Sequence, residues 1–584
     1  MAIYDMIADK MRNAFQEAGY PPEYGETTYS RRLDLGDFQT NGALVVAQKY
    51  KESPEEVAKK VILLLQEDKV FAHVHYDNGF INLKLSDDFL VETLVSMYQS
   101  PGLVSQTSNK EHIIIDYGGA NIAKPLHVGH LRAAIIGESL KAIAKQVGHT
   151  VIGDIHLGDW GLQMGMVILE IKRKYPNLAY FKENYDGPFI DDFNLTVDDL
   201  DEIYPAASQR CKESGEVREE ARIATAELQN GRPGYLALWK YIRDISVESL
   251  KKDYNDLNVH YDLWNGESSV KDIIPQMIDQ LRIKGFTKDY NGATIIELDD
   301  ASQDIPPFIL ETSYGSDLYS TTDLATILDR VNIYSPQRIL YVVDNRQSLH
   351  FDQLFLVARK THIAPKSLQL EHIGFGTVNG KDGKPFKTRE GGTMRLGDLI
   401  NMVIIKAGER MSEIKISKDY SPDERKEIAR KVGIAAIKFA DLVNYRLNNY
   451  IFDLDRFSSF EGKTGPYILY TQVRVKSILE NARIKNFTTG KFSRPSSEEE
   501  RSLIIKMFQF SDVVHEAFEK RAPNYLAEYL YEFSVIFNTF YSSHHILSER
   551  DEQQRESWLG LSQLVNIVLT TSLSLLAIET PERM

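Results

Sequence analysis

Ala120-Asn121-Ile122-Ala123-Lys124-Pro125-Leu126-His127-Val128-Gly129-His130 is the stretch whose reading decides the fold. It follows the β-branched run Ile113-Ile114-Ile115, which ends in Asp116-Tyr117-Gly118-Gly119. It precedes Ile136, Leu140, Ile143 and Val147, apolar residues at helical spacing. A buried strand, a glycine-rich turn and a helix start are predicted here. Ligands of α/β sheets sit beyond the carboxyl ends of parallel strands. The first amides of the following helix are unpaired and its dipole is positive there, so phosphate is favoured.

His127 and His130 bracket Gly129, whose missing Cβ lets the backbone come close to a ligand. Imidazoles three residues apart on a first helical turn face the same way. Both can donate to phosphate oxygens and stabilise the charge that builds as a triphosphate is attacked. His127, Gly129 and His130 are therefore candidates to hold a triphosphate, with the two histidines also catalytic. Two ordinary surface histidines at a helix start fit those four residues equally well, and the rest of the chain decides between the readings.

A chain of 584 residues should divide into about three or four domains. Its 43% hydrophobic and 26% charged residues are ordinary for a globular protein. A single cysteine, Cys211, excludes an internal disulfide framework and reads as a non-catalytic helical thiol in a reducing cytosol. Met1 to Arg12 carries Asp5 and Asp9 and does not read as a signal peptide. The most apolar candidate for a membrane span, Leu564 to Ile578, is broken by Asn566, Thr570, Thr571, Ser572 and Ser574 and reads as a buried helix. The net charge of −15 argues mildly against a polyanionic partner. Between Pro466 and Pro495, however, six basic residues stand against Glu480 alone. That strip fits a local nucleic-acid face and a plain solvated helix face equally well.

Outward from the central stretch, residues 1–108 read as a small α/β appendage. Gly36 to Asn41 is expected to open a helix carrying Leu44, Val45 and Ala47, and Ser53-Pro54-Glu55-Glu56 to start another. Gly79 to Leu85 reads as a strand, and Ser100 to Lys110 as a linker. Beyond His130, the stretch Gly153 to Gly165 reads as an ordered glycine-rich loop that walls a substrate. Residues from about 170 to 300 look like an insertion. Its acids Asp191, Asp192, Asp198, Asp199, Asp201 and Glu202 read as solvated surface rather than a metal site, and Asn265 to Ser268 as a turn. A second buried strand, Arg338 to Asp344, leads to Asn345-Arg346-Gln347. After His372 to Gly376, the basic loop Lys381 to Gly392 suits a lid over phosphates. From about residue 410 the pattern is helical core packing.

Gly36-Asp37-Phe38-Gln39, Ala120 to His130, Gly158-Asp159-Trp160-Gly161, Gly266-Glu267-Ser268, Tyr319 to Asp323 and Asp344 to Gln347 follow one another in this order. Glu461 to Tyr467 and the stretch Leu576-Ala577-Ile578 to Met584 complete the set. Taken together they resemble the bacterial-type arginyl-tRNA synthetase family over nearly the whole chain, with His-Val-Gly-His as the class I His-x-Gly-His signature. The resemblance implies an α/β fold with a Rossmann-like class I catalytic domain at 109–410 that carries an acceptor-end insertion at about 170–300. An N-terminal domain, 1–108, would touch the tRNA elbow, and an all-helical bundle, 411–584, would read the anticodon. The implied partners are an arginine-accepting tRNA, L-arginine and ATP, with Mg²⁺ carried on ATP and no metal held by the protein. The expected state is a cytoplasmic monomer with no membrane partner.

By match to the family's motifs, Asp116, Tyr319, Asp323 and Gln347 should form the arginine pocket and Asn121 should hold the amino-acid backbone. A guanidinium offers five donors in a rigid plane, so carboxylates and a phenol or amide suit it. The resemblance would make the triphosphate held by His127, Gly129 and His130 ATP, and Phe375 joins that ATP-binding set. Phe38, Gln39 and Asn41 are candidates for stacking on and bonding to a flipped tRNA base. Two departures stand out. The lid signature Lys-Met-Ser-Lys-Ser has no clean match around Lys384 to Arg389, so Lys124, with help from Lys387 or Arg389, is expected to supply the missing charge. Leu-Ala-Ile stands at 576–578 where relatives often have Leu-Gly-Ile. Among rivals, a cysteinyl enzyme would need zinc-ligating cysteines, and a small-molecule adenylyltransferase would not need the helical last third. A non-catalytic tRNA-binding paralogue would not require His127, His130 and Asp323.

Overall fold

The apolar run around Ile114 forms the strand His112–Tyr117, an inner member of a four-stranded parallel sheet in a computed structural model. The structure describes residues 3–30, 32, 34–99, 102–183, 193–298, 305–311, 319–384, 386, 394–414 and 420–584. The sheet order is Gln369–His372, Arg338–Val342, His112–Tyr117, Thr150–Asp154. Ile113, Ile114 and Ile115 are all buried, because a central parallel strand is covered on both faces. The helix Val128–Gln146 crosses to Thr150–Asp154 on one side, and Ser348–Lys360 links Arg338–Val342 to Gln369–His372 on the other. The chain thus reverses direction of travel between His112–Tyr117 and Arg338–Val342, and a crevice opens at their carboxyl ends. Gly137 lets the crossover helix lie tight on the sheet, since a Cβ there would meet the Tyr117 ring at 2.2 Å.

Between the two halves of the sheet lie the helices Val197–Glu213, Gly215–Gln229 and Pro233–Asp256, then a three-stranded antiparallel sheet formed by Lys288–Tyr290, Ala293–Ile296 and Phe308–Glu311. The acidic stretch is not all solvated surface: the Asp201 carboxylate is buried and 2.7 Å from Arg395. Asp191 and Asp192 lie outside the described residues.

The first part of the chain folds as a four-stranded antiparallel sheet, Thr28–Tyr29, Phe38–Thr40, Phe80–Leu85 and Phe71–Asp77 in that order. Phe38 to Thr40 is therefore strand, and the helix begins only at Gly42, with Leu44 and Val45 exposed. The expected helix opening at Gly36 is corrected by the pairing of Phe38 with Leu83. The helix Pro54–Leu65 starts as read, with proline in its first turn and Glu55 and Glu56 beside it.

The last part is a helical bundle built from Leu396–Glu413, Pro422–Leu442, Gly465–Ile484, Glu498–Phe508, Phe510–Glu519, Asn524–Ser543 and Glu552–Leu575. A two-residue strand, Tyr450–Ile451, interrupts it to pair with Val378–Asn379. Glu552–Leu575 is long and apolar enough to cross a bilayer, and it is a core helix with Leu559, Leu561, Leu564, Val565, Val568 and Leu569 buried. It ends in a Schellman turn: Ile578 N–H donates to the Leu573 carbonyl at 2.8 Å and Ala577 N–H to the Ser574 carbonyl at 2.9 Å. Ala577 takes φ +54° there. Its carbonyl receives Lys438 Nζ at 2.6 Å and Asn258 Nδ2 at 3.1 Å, and the Leu575 carbonyl receives Ser139 Oγ from the crossover helix at 2.8 Å.

Candidate active site

His127 is the N-cap of the crossover helix, and the two histidines cap it reciprocally. His127 Nδ1 accepts the Gly129 N–H at 3.0 Å, and His130 Nδ1 accepts the His127 N–H at 3.1 Å. With both Nδ1 atoms used as acceptors, the neutral rings carry their protons on Nε2. The rings lie 4.0 Å apart. Burial lowers the pKa of both, His130 to about 3, and the Lys124 charge adds to the depression. The helix N-terminus therefore presents two neutral Nε2–H donors rather than two imidazolium ions. The sequence reading anticipated the pair and its direction, and the backbone supplies the tautomer.

Lys124 sits in the turn before them, its ammonium 5.7 Å from the centre of the Tyr204 ring. It lines a cavity of about 210 Å³ with Asp198, Asp201, Asp253 and Arg395. Residues 394–396, which follow the basic loop, pair directly with the motif: Val128 N–H donates to the Met394 carbonyl and Leu396 N–H to the Leu126 carbonyl. Lys387 and Arg389 lie outside the described residues. Asn121 Oδ1 accepts Gln163 Nε2 at 3.2 Å, and Ile122 N–H bonds the Gly158 carbonyl. A Cβ on Gly158 would stand 2.1 Å from Asn121 Oδ1, so glycine is what lets Asn121 lie across this loop.

Two further acids of interest come from other elements. Asp323, on the helix Tyr319–Tyr334, has Oδ2 2.7 Å from His350 Nε2. Tyr319 begins that helix one turn earlier. Gln347 ends the short turn after Arg338–Val342 and is exposed at the same sheet edge. Glu267, read as part of a turn and of the Gly-Glu-Ser motif, was not among the expected site residues, and the structure brings it within electrostatic reach of Asp323. Its Oε2 accepts the Trp160 N–H at 3.1 Å. Burial raises its pKa to about 7, and the charges of Asp159 and Asp323 push it further in the same direction. Asp159, fully buried, holds the turn in place, accepting Ser268 N–H at 2.9 Å, Ser268 Oγ at 2.8 Å and Arg243 Nε at 3.0 Å. The Gly-Asp-Trp-Gly and Gly-Glu-Ser motifs together were the available signal, and their contact across more than 100 positions was not visible in either one.

Three expected site residues are packed against other parts of the chain. Asp116 is 8% exposed and its Oδ2 is taken by Arg330 Nη2 at 2.6 Å; the same nitrogen reaches Asp154 at 2.7 Å. A guanidinium of the chain itself already occupies that carboxylate. Phe375 is buried at 4% exposure, with Arg132 over its ring, and belongs to the core under the crevice. Phe38 is 1% exposed and its ring packs 4.5 Å from that of Tyr29, so neither face is free to stack on a base. Strand alternation turns Phe38 and Thr40 inward and leaves Gln39 between them on the other face, with Asn41 exposed at the next helix start. Among the described residues no three His, Cys, Asp or Glu side chains converge to hold a metal.

Comparison with known proteins places the whole arrangement. The tRNA synthetases class I (R) catalytic domain family matches residues 93–454, the arginyl tRNA synthetase N terminal domain residues 2–85, and the DALR anticodon binding domain residues 468–584. An arginine–tRNA ligase of Alkaliphilus oremlandii is 49% identical over 583 residues, covering 99% of both chains. One of Agathobacter rectalis is 43% identical over 594 residues, covering 100% of both. The arginyl-tRNA synthetase structure from Plasmodium falciparum superposes with a TM-score of 0.81 at 25% identity, covering 100% of this chain and 99% of that one. The Thermus thermophilus structure shares the fold with a TM-score of 0.78 at 21% identity, each chain covered in full. With its catalytic, N-terminal and anticodon-binding parts each matched in turn, the chain belongs to the class I arginyl-tRNA synthetase family.

Proposed function

We propose that this protein is an arginine–tRNA ligase that activates L-arginine with ATP and transfers it to the terminal adenosine of its tRNA. The observation that carries this reading is the pair of Nε2–H imidazoles at a helix N-terminus beyond the central parallel strand, and a pair of acids, Asp323 and Glu267, lies near enough to one another for their charges to interact. The arginine guanidinium is assigned to Asp323 and Glu267, with Tyr319 and Gln347 beside it. Asn121 is assigned to the amino-acid backbone. The ATP phosphates are assigned to His127, His130 and the Gly129 amide at the helix N-terminus.

The carboxylate of arginine then attacks the α-phosphorus and pyrophosphate leaves, producing arginyl-adenylate. Charge that builds on the phosphate oxygens is met by neutral donors that need no reorganisation. The ribose hydroxyl of the tRNA attacks the acyl carbon in the second step, and AMP leaves. Neither step needs a nucleophile from the protein; positioning and charge stabilisation suffice. Lys124, with Lys387 or Arg389 of the lid, is assigned to the triphosphate, and Mg²⁺ enters on ATP. Residues 1–108, with Gln39 and Asn41, are assigned to the tRNA elbow, the insertion at about 170–300 to the acceptor end and residues 411–584 to the anticodon. A non-catalytic paralogue is set aside by full-length similarity to ligases.

Pyrophosphate exchange with each amino acid in turn, with and without tRNA, tests the reading. Exchange that depends on arginine alone among the amino acids is expected; exchange with another amino acid, or none with arginine and tRNA together, would overturn it.

A further inference from the structure

We infer that His156 is a further substrate-contacting residue of this site, its imidazole accepting a guanidinium N–H of the bound arginine. The inference rests on the assignment of Glu267 and Asp323 to the guanidinium. Residues 155–158 continue the strand Thr150–Asp154 past its carboxyl end, where they pair in parallel with 265–267: Leu157 N–H donates to the Asn265 carbonyl at 2.9 Å and Glu267 N–H to the Leu157 carbonyl at 3.0 Å. Leu157 opposite Gly266 fixes the register. In such a pair residues alternate between faces, so Ile155 and Leu157 point one way, into the core, and both are fully buried. His156, Gly158 and Glu267 share the other face. Gly158 contributes no side chain, and Asn121 lies in the space it leaves. That face therefore carries an imidazole, a carboxylate and an amide, and nothing apolar.

Both ring nitrogens of His156 are shielded from solvent, and among the described residues neither has a hydrogen-bond partner. A buried polar atom left unpaired costs about 1–3 kcal/mol, so two such atoms on one ring, on a face that also carries Glu267, point to a ligand that completes them. Glu267, on the same face, is near enough to Asp323 for that charge to act on it. An arginine held by those two carboxylates brings five planar donors against this face, where Glu267 Oε2 already accepts the Trp160 N–H and Asp323 Oδ2 is already paired with His350 Nε2. A neutral imidazole accepts one of them without adding a like charge.

The test is pyrophosphate exchange at saturating tRNA for His156→Ala, His156→Gln, Asp323→Asn and Glu267→Gln. For His156→Ala the arginine KM should rise by about tenfold, the value of one lost hydrogen bond, while the ATP KM holds. His156→Gln, which keeps an acceptor, should recover part of that loss. If the two acid variants raise the arginine KM and His156→Ala leaves it unchanged, or raises the ATP KM equally, this inference fails while the pocket stands. If neither acid variant moves the arginine KM, the pocket assignment itself fails.

Discussion

Arg501 Nη2 lies 2.6 Å from Asp37 Oδ2, and that buried ion pair joins the N-terminal sheet to the helical bundle across 464 positions of sequence. Arg501 also reaches Asp87 at 2.8 Å and the Leu85 carbonyl at 2.9 Å. Asp37, from the Gly-Asp-Phe-Gln motif, additionally accepts the Leu85 N–H at 2.7 Å. Arg501→Leu should cost about 3–5 kcal/mol, because it leaves a buried carboxylate uncompensated. Chemical denaturation measures it; a change no larger than that of an exposed arginine would mean the pair does not hold the two parts together.

His130→Ala should lower turnover in pyrophosphate exchange while leaving the arginine KM close to wild type, since the ring is assigned to phosphate and not to the amino acid. Equal effects on both parameters would count against that role.

The same residue sets an acid limit on stability. His130 is neutral when folded down to about pH 3, whereas its unfolded value is 6.5. Between those values the unfolded chain binds a proton that the folded chain refuses. Its contribution is complete above pH 6.5 and is lost as pH falls toward 3. Denaturation midpoints measured from pH 7 to 5 should fall less steeply for His130→Asn than for wild type.

Asp116→Asn and Asp323→Ala should separate structure from substrate. Asp116 faces the buried Arg330, which keeps Asp154 as a partner, so its loss should lower stability by about 1–3 kcal/mol with little selective effect on arginine. Asp323→Ala should keep the fold and raise the arginine KM about tenfold to a hundredfold, the value of a charge-assisted bond. Arginine calorimetry on both variants decides; equal binding by Asp323→Ala and wild type would remove Asp323 from the pocket.

Ala577→Gly should stabilise the protein by up to about 1 kcal/mol. Ala577 is held at φ +54°, a left-handed conformation that costs a residue with a Cβ about 1–2 kcal/mol, offset in part by the greater unfolded freedom of glycine. A midpoint that does not rise would show the turn relaxed without strain.

The strand, turn and helix around His127 were legible because their signals are local: three isoleucines, two glycines and a 3.6-residue period. The Leu-Ala-Ile departure was legible as a difference, but its meaning waited for the backbone angle at Ala577. Phe38 was misplaced because a three-residue strand is too short to display alternation, and the glycine and asparagine around it also suit a helix start. The surroundings of Asp116 and Glu267 were not legible, for one common reason. Their environments are set by Arg330 and Trp160, partners 214 and 107 positions away, and no periodicity reports such pairings.

The Schellman turn at Ala577 also constrains how the molecule can be assembled. Its carbonyls engage Ser139, Asn258 and Lys438, residues that leave the ribosome earlier than the turn does. Until translation reaches it, the Lys438 ammonium, whose pKa burial lowers to about 7, has no Ala577 oxygen to meet. A product truncated before Leu575 would carry the entire nucleotide crevice in its sequence and still lack the last stitch in its rear wall. Nonsense fragments of this length should therefore be substrates for proteolysis rather than partially active enzymes.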